Sequence, residues 1–175
     1  NQLNQKGHDV TVYEKNSRPG GLLRFGIPDF KLNKNIVDRR ISLMEAEGVK
    51  FINNTEVGID VRGKDLMKDY DAVCLAIGSQ VPRDLPVPGR ELKGVYYAME
   101  YLTVKNKIVA RDEVPADQII DVKGKNVLVI GGGDTGSDCI GTANRQQAAN
   151  ILQIEIMPKP PKLEDLDNVW PTPFP

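Results

Sequence analysis

The sequence predicts an α/β fold in which parallel strands are followed by helices and bind nucleotides at their carboxyl ends. An apolar run from Val127 to Ile130 leads directly into the glycine-rich turn Gly131–Gly136 and then into a helix-compatible stretch. Asp9–Glu14, DVTVYE, alternates apolar and other residues and ends on an acid. Asp71–Ile77, DAVCLAI, is continuously apolar, which is typical of a central strand buried on both faces.

Composition and charge indicate which classes of partner the chain can have. The chain has 175 residues, of which 40% are hydrophobic, and its 23 Lys and Arg residues nearly balance 24 Asp and Glu residues. This length allows one ordinary domain or two small or incomplete ones. The charges are mixed along the sequence, so we expect no nucleic acid and no membrane as a partner. No apolar stretch approaches roughly 18 residues, and the first residues lack the pattern of a signal peptide, so the expected location is the cytoplasm.

The cysteines and the single histidine predict no metal site. Cys74 and Cys139 each lie within an apolar element and are far apart in sequence, which excludes a C-x-x-C pair. We expect both to be small buried hydrophobic residues. His8 precedes a strand without a Cys or an acid at ligand spacing, so it is interpreted as a surface residue.

The glycine-rich turn has the spacing G-x-G-x-x-G. Gly131 allows a sharp strand-to-helix turn, Gly133 lets backbone N–H groups approach phosphates, and Gly136 lets the helix pack close to the strand. The phosphates would then lie at the positive end of the helix dipole. A structural turn is the alternative, but the flanking elements favour binding. The predicted pyrophosphate site consists of Gly131, Gly132, Gly133, Asp134, Thr135 and Gly136.

The predicted strand Asp9–Glu14 belongs to a different nucleotide-binding unit from the glycine-rich turn. It is interpreted as the second strand of that unit, with Glu14 as acceptor for ribose hydroxyls. The corresponding glycine loop lies roughly 20 residues upstream of such an acid, which falls before residue 1. Asn1–Lys6 is then the end of the intervening helix, and Gly7 is its stop. We therefore expect an internal fragment of a longer polypeptide with parts of two nucleotide-binding halves.

The remaining pattern predicts short elements between these landmarks. Asn33 is the expected N-cap of a helix that extends to Glu47 and ends at Gly48. Pro82 to Gly89 is interpreted as the connection between the two halves. The other predicted elements are a strand at Val49–Ile52, a short helix at Gly63–Lys68, a helix at Tyr97–Asn106 and a polar loop at Asp112–Gly124.

Three stretches carry a family resemblance: EKNSRPGGLLRFGIPDFKL, AIGSQVPRDLPVPGRELKGV and VLVIGGGDTGSDCIGTA, at Glu14–Leu32, Ala76–Val95 and Val127–Ala143. Together they resemble the small (beta) subunits of glutamate synthases. They are also similar to the amino-terminal part of dihydropyrimidine dehydrogenase and to ferredoxin-NADP reductases of the adrenodoxin reductase type. The run EIMPKPP at Glu155–Pro161 favours the glutamate synthase group.

The resemblance implies a Rossmann-like two-dinucleotide-binding flavoprotein fold, present here in part. It implies a partial FAD-binding domain at residues 1–85 and a partial NAD(P)H-binding domain at residues 86–175. In this family NAD(P)H reduces FAD, and electrons pass through iron–sulfur clusters to a large (alpha) subunit that makes glutamate. The cluster cysteines precede the first glycine loop, so the clusters are expected only in the full-length protein. Two alternatives are the equivalent subunit of another reductase and a non-catalytic nucleotide-binding module.

The resemblance also implies sites for FAD. Glu14 corresponds to the acid that holds the adenosine ribose, Arg24 lies within reach of the pyrophosphate, and Val57 corresponds to a backbone contact with adenine. Taken singly, these three residues would be a solvated acid, a surface cation and an ordinary packing residue. No catalytic residue is assigned, because hydride transfer is chemistry of the cofactors. The other expected FAD contacts are Gly20, Gly21 and Leu22 in the flavin-side loop, and Ala76, Ile77 and Gly78 at the end of a strand.

The choice of coenzyme depends on where the last strand ends. Glu155 falls 19 positions after Gly136, and counting alone predicts NAD. The alternation of Ile151–Met157, however, predicts that the strand continues to Met157, so that Glu155 lies within it. Lys159 is then placed to offer charge to a 2′-phosphate, which favours NADP. The alternative for Lys159 is a solvated cation in a proline-rich connection.

Overall fold

A computed structural model describes residues 1–79 and 81–158. The chain divides into two compact units, one covering Asn1–Asp121 and the other beginning at Val122. Each unit contains one pair of parallel strands with helices around it. The domain boundary between residues 85 and 86, drawn from the resemblance, stays a prediction.

In the first unit, strand β1 (Thr11–Tyr13) pairs in parallel with β2 (Lys50–Ile52), with Val12 opposite Phe51. Both strands lie within the predicted ranges Asp9–Glu14 and Val49–Ile52. The helices of this unit are α1 (Gln2–Gln5), α2 (Gly21–Phe25), α3 (Lys34–Ala46), α4 (Gly63–Asp69) and α5 (Ala98–Val109), with a 3-10 turn at Ala116–Gln118.

Helix α3 begins and ends where the sequence predicts. The Asn33 side chain accepts the backbone N–H of Asn35 at 2.9 Å, which satisfies a donor that the first turn leaves unpaired. Gly48 follows the helix at a φ of 106°, a conformation that side chains disfavour. Val37 is the buried residue of this helix. Capping and periodicity therefore suffice to determine this helix.

Helix α5 packs against α2, and a buried amide links them. Asn106 Nδ2 donates to the carbonyl oxygens of Phe25 at 3.0 Å and Gly26 at 3.2 Å. Phe25 and Leu102 are both buried. Arg18 Nη2 donates to both carboxylate oxygens of Asp112, at 2.5 and 2.6 Å, and this ion pair ties the segment after α5 to the segment before α2. The predicted helix Tyr97–Asn106 is thus confirmed and extends to Val109.

The prediction of a buried central strand at Asp71–Ile77 is wrong. The segment forms no strand, and Leu75 and Ile77 are 78% and 71% exposed. Cys74 is exposed as well, which corrects the expectation that both cysteines are buried, whereas Cys139 is buried. A strand requires backbone partners on a neighbouring strand, and the two strand pairs of residues 1–79 and 81–158 do not include this segment. Apolar composition alone cannot supply that pairing.

In the second unit, β3 (Asn126–Ile130) pairs in parallel with β4 (Asn150–Ile154), and α6 (Asp134–Arg145) connects them. Val129 on β3 and Cys139 and Ala143 on α6 are buried. Burial raises the pKa of the Cys139 thiol to about 11, so the group is neutral at ordinary pH. The unit is a strand–turn–helix–strand motif whose turn is Gly131–Gly133. No helix within the described ranges has the length and apolarity needed to cross a bilayer.

Candidate dinucleotide site

The glycine turn connects β3 to α6 at the carboxyl edge of the strand pair. The Gly131 N–H donates to the Ile154 carbonyl at 2.9 Å. The φ of Gly131 is 114°, a backbone conformation that favours glycine. At Gly136 a Cβ atom would overlap the carbonyl oxygen of Gly131, because the first turn of α6 approaches the loop closely. The φ of Gly131 agrees with its predicted turning role, and Gly136 allows close packing as predicted, although against the loop carbonyl of Gly131.

Gly133 differs from these two glycines because, within the described part of the chain, neither its surroundings nor its backbone conformation requires a glycine. A Cβ atom placed there would meet no atom within 4 Å, and the backbone of Gly133 is extended, with a φ of −74° and a ψ of −177°. Gly133 is the N-cap of α6, and Asp134 and Thr135 begin the helix. Its surroundings are therefore open at the helix terminus, where unpaired N–H groups favour an anion.

Glu155 lies beside this turn, and its position corrects the sequence prediction. Strand β4 ends at Ile154 and does not continue to Met157, so Glu155 is the first residue beyond the strand. A Cβ atom on Gly132 would overlap the Glu155 carboxylate. The alternation of Ile154 and Ile156 suggested a longer strand, but Ile156 is 98% exposed and lies outside the β3–β4 register, which ends with Ile130 opposite Ile154.

Backbone donors hold the Glu155 carboxylate in its ionised form. Glu155 Oε1 accepts the N–H groups of Ile156 at 2.7 Å and Met157 at 3.2 Å. The bonds from Met157 and Ile156, with a further one from Gly132, hold the pKa of Glu155 below its usual value. An exposed, ionised carboxylate thus faces the glycine turn. Lys159, the residue assigned to a 2′-phosphate, lies outside the described residues.

Gln153 was absent from the residues predicted from the sequence. Its side-chain Nε2 donates to the Gly131 carbonyl at 2.8 Å, so a residue near the end of strand β4 supports the glycine loop. The available signal was the strand alternation, which places Gln153 and Glu155 on the same side of β4. Both side chains reach the loop from the neighbouring strand.

In the first unit, Glu14 is the first residue after β1. Glu14 Oε1 accepts the backbone N–H of Asn16 at 2.9 Å and the Asn16 side-chain amide at 2.7 Å. The Glu14 carbonyl accepts the N–H of Thr55 at 3.0 Å, which places Val57 only two residues from this contact. Glu14 therefore has the strand-end position that a ribose acceptor requires, while its role, and that of Val57, stay predictions.

The expected flavin-side loop is a tight turn into α2. Gly20 has a φ of 132°, and a Cβ atom there would lie 3.0 Å from Val37 Cγ1. Leu22 lies within α2 and is exposed, as is Gly21. Arg24 is not a surface cation, since it is only 4% exposed. Its guanidinium donates to the Pro19 carbonyl at 2.7 Å and pairs with Asp38. These contacts place Arg24 beneath the Gly20–Gly21 turn.

The remaining predicted positions are exposed. Ala76, Ile77 and Gly78 lie on the irregular segment that replaces the expected strand, and Gly78 has a φ of 66°. His8 is exposed, as expected. Within the described part of the chain, no group of three His, Cys, Asp or Glu residues could hold a metal ion.

The parallel strand pairs and the glycine turn define an α/β protein of the Rossmann type. The chain matches the pyridine nucleotide-disulphide oxidoreductase family over residues 1–168 and belongs to that family. Structures of FprA from Mycobacterium tuberculosis share the fold. The FprA complex with NADPH gives a TM-score of 0.68 over 87% of this chain and 38% of FprA, at 23% identity.

Two curated relatives confirm the resemblance to glutamate synthase. The small chain of the NADPH glutamate synthase of Bacillus subtilis is 51% identical over 170 residues, which cover 97% of this chain and 34% of that relative. The NADH glutamate synthase of Schizosaccharomyces pombe is 51% identical over 172 residues, 97% of this chain and 8% of that relative. The chain thus spans about a third of the Bacillus small chain and a much smaller part of the yeast enzyme.

Proposed function

We propose that this chain is part of an NAD(P)H-dependent flavin oxidoreductase that supplies electrons to glutamate synthesis. The Gly131–Gly136 turn binds the pyrophosphate of the reduced nicotinamide nucleotide, and the first unit contributes to FAD binding. When bound, the nicotinamide supplies a hydride and the flavin accepts it. The residues of this chain bind and orient the two dinucleotides.

The observation that carries this proposal is the contrast between Gly133 and Gly136. The chain itself requires a glycine at position 136, because a side chain there would overlap the Gly131 carbonyl. It does not require one at position 133, where the space is open and the φ of −74° suits any residue. A ligand that approaches the backbone closely accounts for the glycine at position 133.

The first unit supports FAD through Glu14. Its carboxylate is held at the end of β1 by the N–H groups of Asn16, and its two oxygens match the two hydroxyl donors of an adenosine ribose. Gly20, Gly21 and Leu22 would lie on the flavin side, with Arg24 supporting the turn from below. Val57 and Ala76–Gly78 complete the proposed FAD contacts.

The proposed electron acceptor is a glutamate synthase large (alpha) subunit, reached through iron–sulfur clusters of the full-length protein. The support is the identity of 51% both to a named small chain and to a region of a much longer glutamate synthase polypeptide. The equivalent subunit of another reductase would keep the same two dinucleotide sites and differ in its electron acceptor.

Anaerobic rapid mixing of the full-length protein with NADPH or NADH tests the proposal. We expect the flavin absorbance to bleach within the time of a catalytic turnover with at least one of the two coenzymes. Addition of the large subunit with glutamine and 2-oxoglutarate should then reoxidise the flavin and yield glutamate. A full-length protein whose flavin is reduced by neither coenzyme would exclude the proposed activity.

A further inference from the structure

A polar cavity of about 330 Å³ lies in the first unit, lined by the first turns of α3 and the last turn of α5. Its volume is at the lower end of the roughly 300–1,000 Å³ that small-molecule pockets occupy. None of the described residues that line it is among the proposed dinucleotide contacts, so it is a separate candidate site. The charged residues of its wall are Arg18, Lys34, Asp29 and Asp38, and three asparagines stand beside them.

The buried amide of Asn106 presents an acceptor to this cavity. Asn106 is only 7% exposed, and its Nδ2 donates to the carbonyls of Phe25 and Gly26. Across residues 1–79 and 81–158 no hydrogen bond reaches Asn106 Oδ1, and the residue lines the cavity. Since a buried acceptor without a donor is costly, this wall favours a ligand that offers an N–H or O–H group.

Arg18 provides unused donors at another point of the wall. Its Nη2 donates to both carboxylate oxygens of Asp112. In the part of the chain that the structure describes, Nε and Nη1 of Arg18 donate to no acceptor, and the side chain is 36% exposed. A guanidinium binds a carboxylate through two parallel N–H bonds. The cavity therefore offers a place for a carboxylate as well as one for an N–H donor.

The balance of charge favours a ligand that is neutral overall. The formal charges of the two cations and the two acids of the wall cancel. A ligand with one carboxylate and one ammonium group meets opposite charges on this wall and adds no net charge to it. Val109 and Ala110 are the apolar residues among those that line the cavity, so a polar side chain on the ligand suits it better than a large apolar one.

Two residues of the wall also hold helix α2. Asp38 pairs with Arg24, which lies beneath the Gly20–Gly21 turn at the start of the helix. Asn106 donates to the carbonyls at the other end of α2. A ligand that fixes Asp38 and Asn106 would therefore stabilise the helix that follows the proposed flavin-side turn.

We propose that this cavity binds a zwitterionic amino acid with an uncharged polar side chain, and that its occupation stabilises α2. The carboxylate of the ligand pairs with Arg18, and its ammonium group donates to Asn106 Oδ1 and faces the acids of the wall. The choice of L-glutamine as probe rests on the proposed function, because the proposed reaction consumes this amino acid. Its binding here involves neither the coenzyme nor flavin reduction, so the two proposals can fail separately.

Isothermal titration calorimetry of the full-length protein, without the large subunit, tests this binding. L-glutamine should bind, whereas glutaramate, which is L-glutamine without its amino group, should bind about tenfold more weakly or less. Arg18→Gln should raise the dissociation constant of L-glutamine by about tenfold or more. Arg62→Gln, which removes the guanidinium of the Arg62–Asp65 ion pair elsewhere in the unit, is the matched control and should leave it unchanged. Hydrogen exchange of the α2 amides should slow when L-glutamine is added.

The outcomes separate the cavity from the proposed function. No binding of L-glutamine, equal binding of glutaramate, or an unchanged dissociation constant in the folded Arg18→Gln variant overturns the cavity site. None of these results touches flavin reduction by NADPH or NADH. A protein that binds L-glutamine as expected but is reduced by neither coenzyme keeps the cavity site and loses the proposed function. If Arg18→Gln fails to fold, the comparison of L-glutamine with glutaramate on the wild type still decides.

Discussion

Glu14 and Glu155 occupy equivalent positions in two separate strand pairs. Each is the first residue after a parallel strand, and each carboxylate accepts the N–H of the residue two positions later. The distances are 2.9 Å from Asn16 N to Glu14 Oε1 and 3.2 Å from Met157 N to Glu155 Oε1. The backbone thus fixes an acceptor at the carboxyl end of a strand in both units. This repetition fits the proposal of two dinucleotide sites.

The packing role of Gly136 predicts a loss of stability on substitution. Gly136→Ala would bring a methyl group onto the Gly131 carbonyl, and relief requires α6 to move away from the loop. We expect a destabilisation of about 1–3 kcal/mol, as for other overpacked sites. Thermal denaturation of the full-length protein measures it, with Gly133→Ala as the matched control. Equal melting temperatures for the two variants would show that the close approach is not real.

The buried amide of Asn106 predicts a second stability effect. Asn106→Ala removes the donor shared by the carbonyls of Phe25 and Gly26 at the contact between α2 and α5. Leaving buried acceptors unpaired costs about 1–3 kcal/mol, so the melting temperature should fall. Val109→Ala, at an exposed position of the same helix, serves as control and should have little effect. A control that destabilises as much as Asn106→Ala would contradict the assigned contact.

The two cysteines of the 175-residue chain should react at very different rates. Cys74 is exposed, whereas Cys139 is buried and its pKa is raised to about 11 by burial. Since the thiolate is the reactive form, Cys139 should stay unlabelled near pH 8 and gain reactivity only as the pH approaches its pKa. Labelling with a disulfide reagent should give one fast thiol, abolished by Cys74→Ser. A fast thiol that persists in that variant would contradict the exposure of Cys74.

The 175-residue chain on its own should hold little FAD. Glu14 provides a ribose acceptor, but the ten residues from Asn1 to Val10 that precede β1 contain one glycine, Gly7, and no glycine-rich phosphate loop. A ribose contact without phosphate anchoring does not retain a large ligand. The purified chain should be colourless. Stoichiometric flavin absorbance would show that the phosphate contacts lie elsewhere in this chain.

Elements defined by local signals were predictable from the sequence. The side chain of Asn33 caps α3 and Gly48 ends it, and both effects depend on residues within a few positions. The same is true of the Gly131–Gly136 turn, whose spacing sets its geometry. The end of β4 was not predictable in this way. Alternation continues through Ile156, but strand β3 has no residue left to pair beyond Ile130, so the ladder stops at Ile154.

Asp71–Ile77 shows the same limit more strongly. Its composition is that of a buried strand, yet burial and strand geometry come from neighbours that an apolar run does not itself specify. The same limit applies to the candidate site. The position of Glu155 and the contact of Gln153 with Gly131 both depend on where β4 ends. Contacts between residues of different strands could be identified only from the structure.

The dissociation constant of the reduced coenzyme for the full-length protein, with and without Gly133→Val, tests the central claim most directly. The valine Cβ atom would enter open space at the start of α6, and the φ of −74° accommodates any residue, so folding should be retained while the phosphates are displaced. We predict a dissociation constant raised about tenfold or more, with an unchanged melting temperature. An unchanged dissociation constant in the folded variant would contradict the assignment of this turn as the coenzyme site.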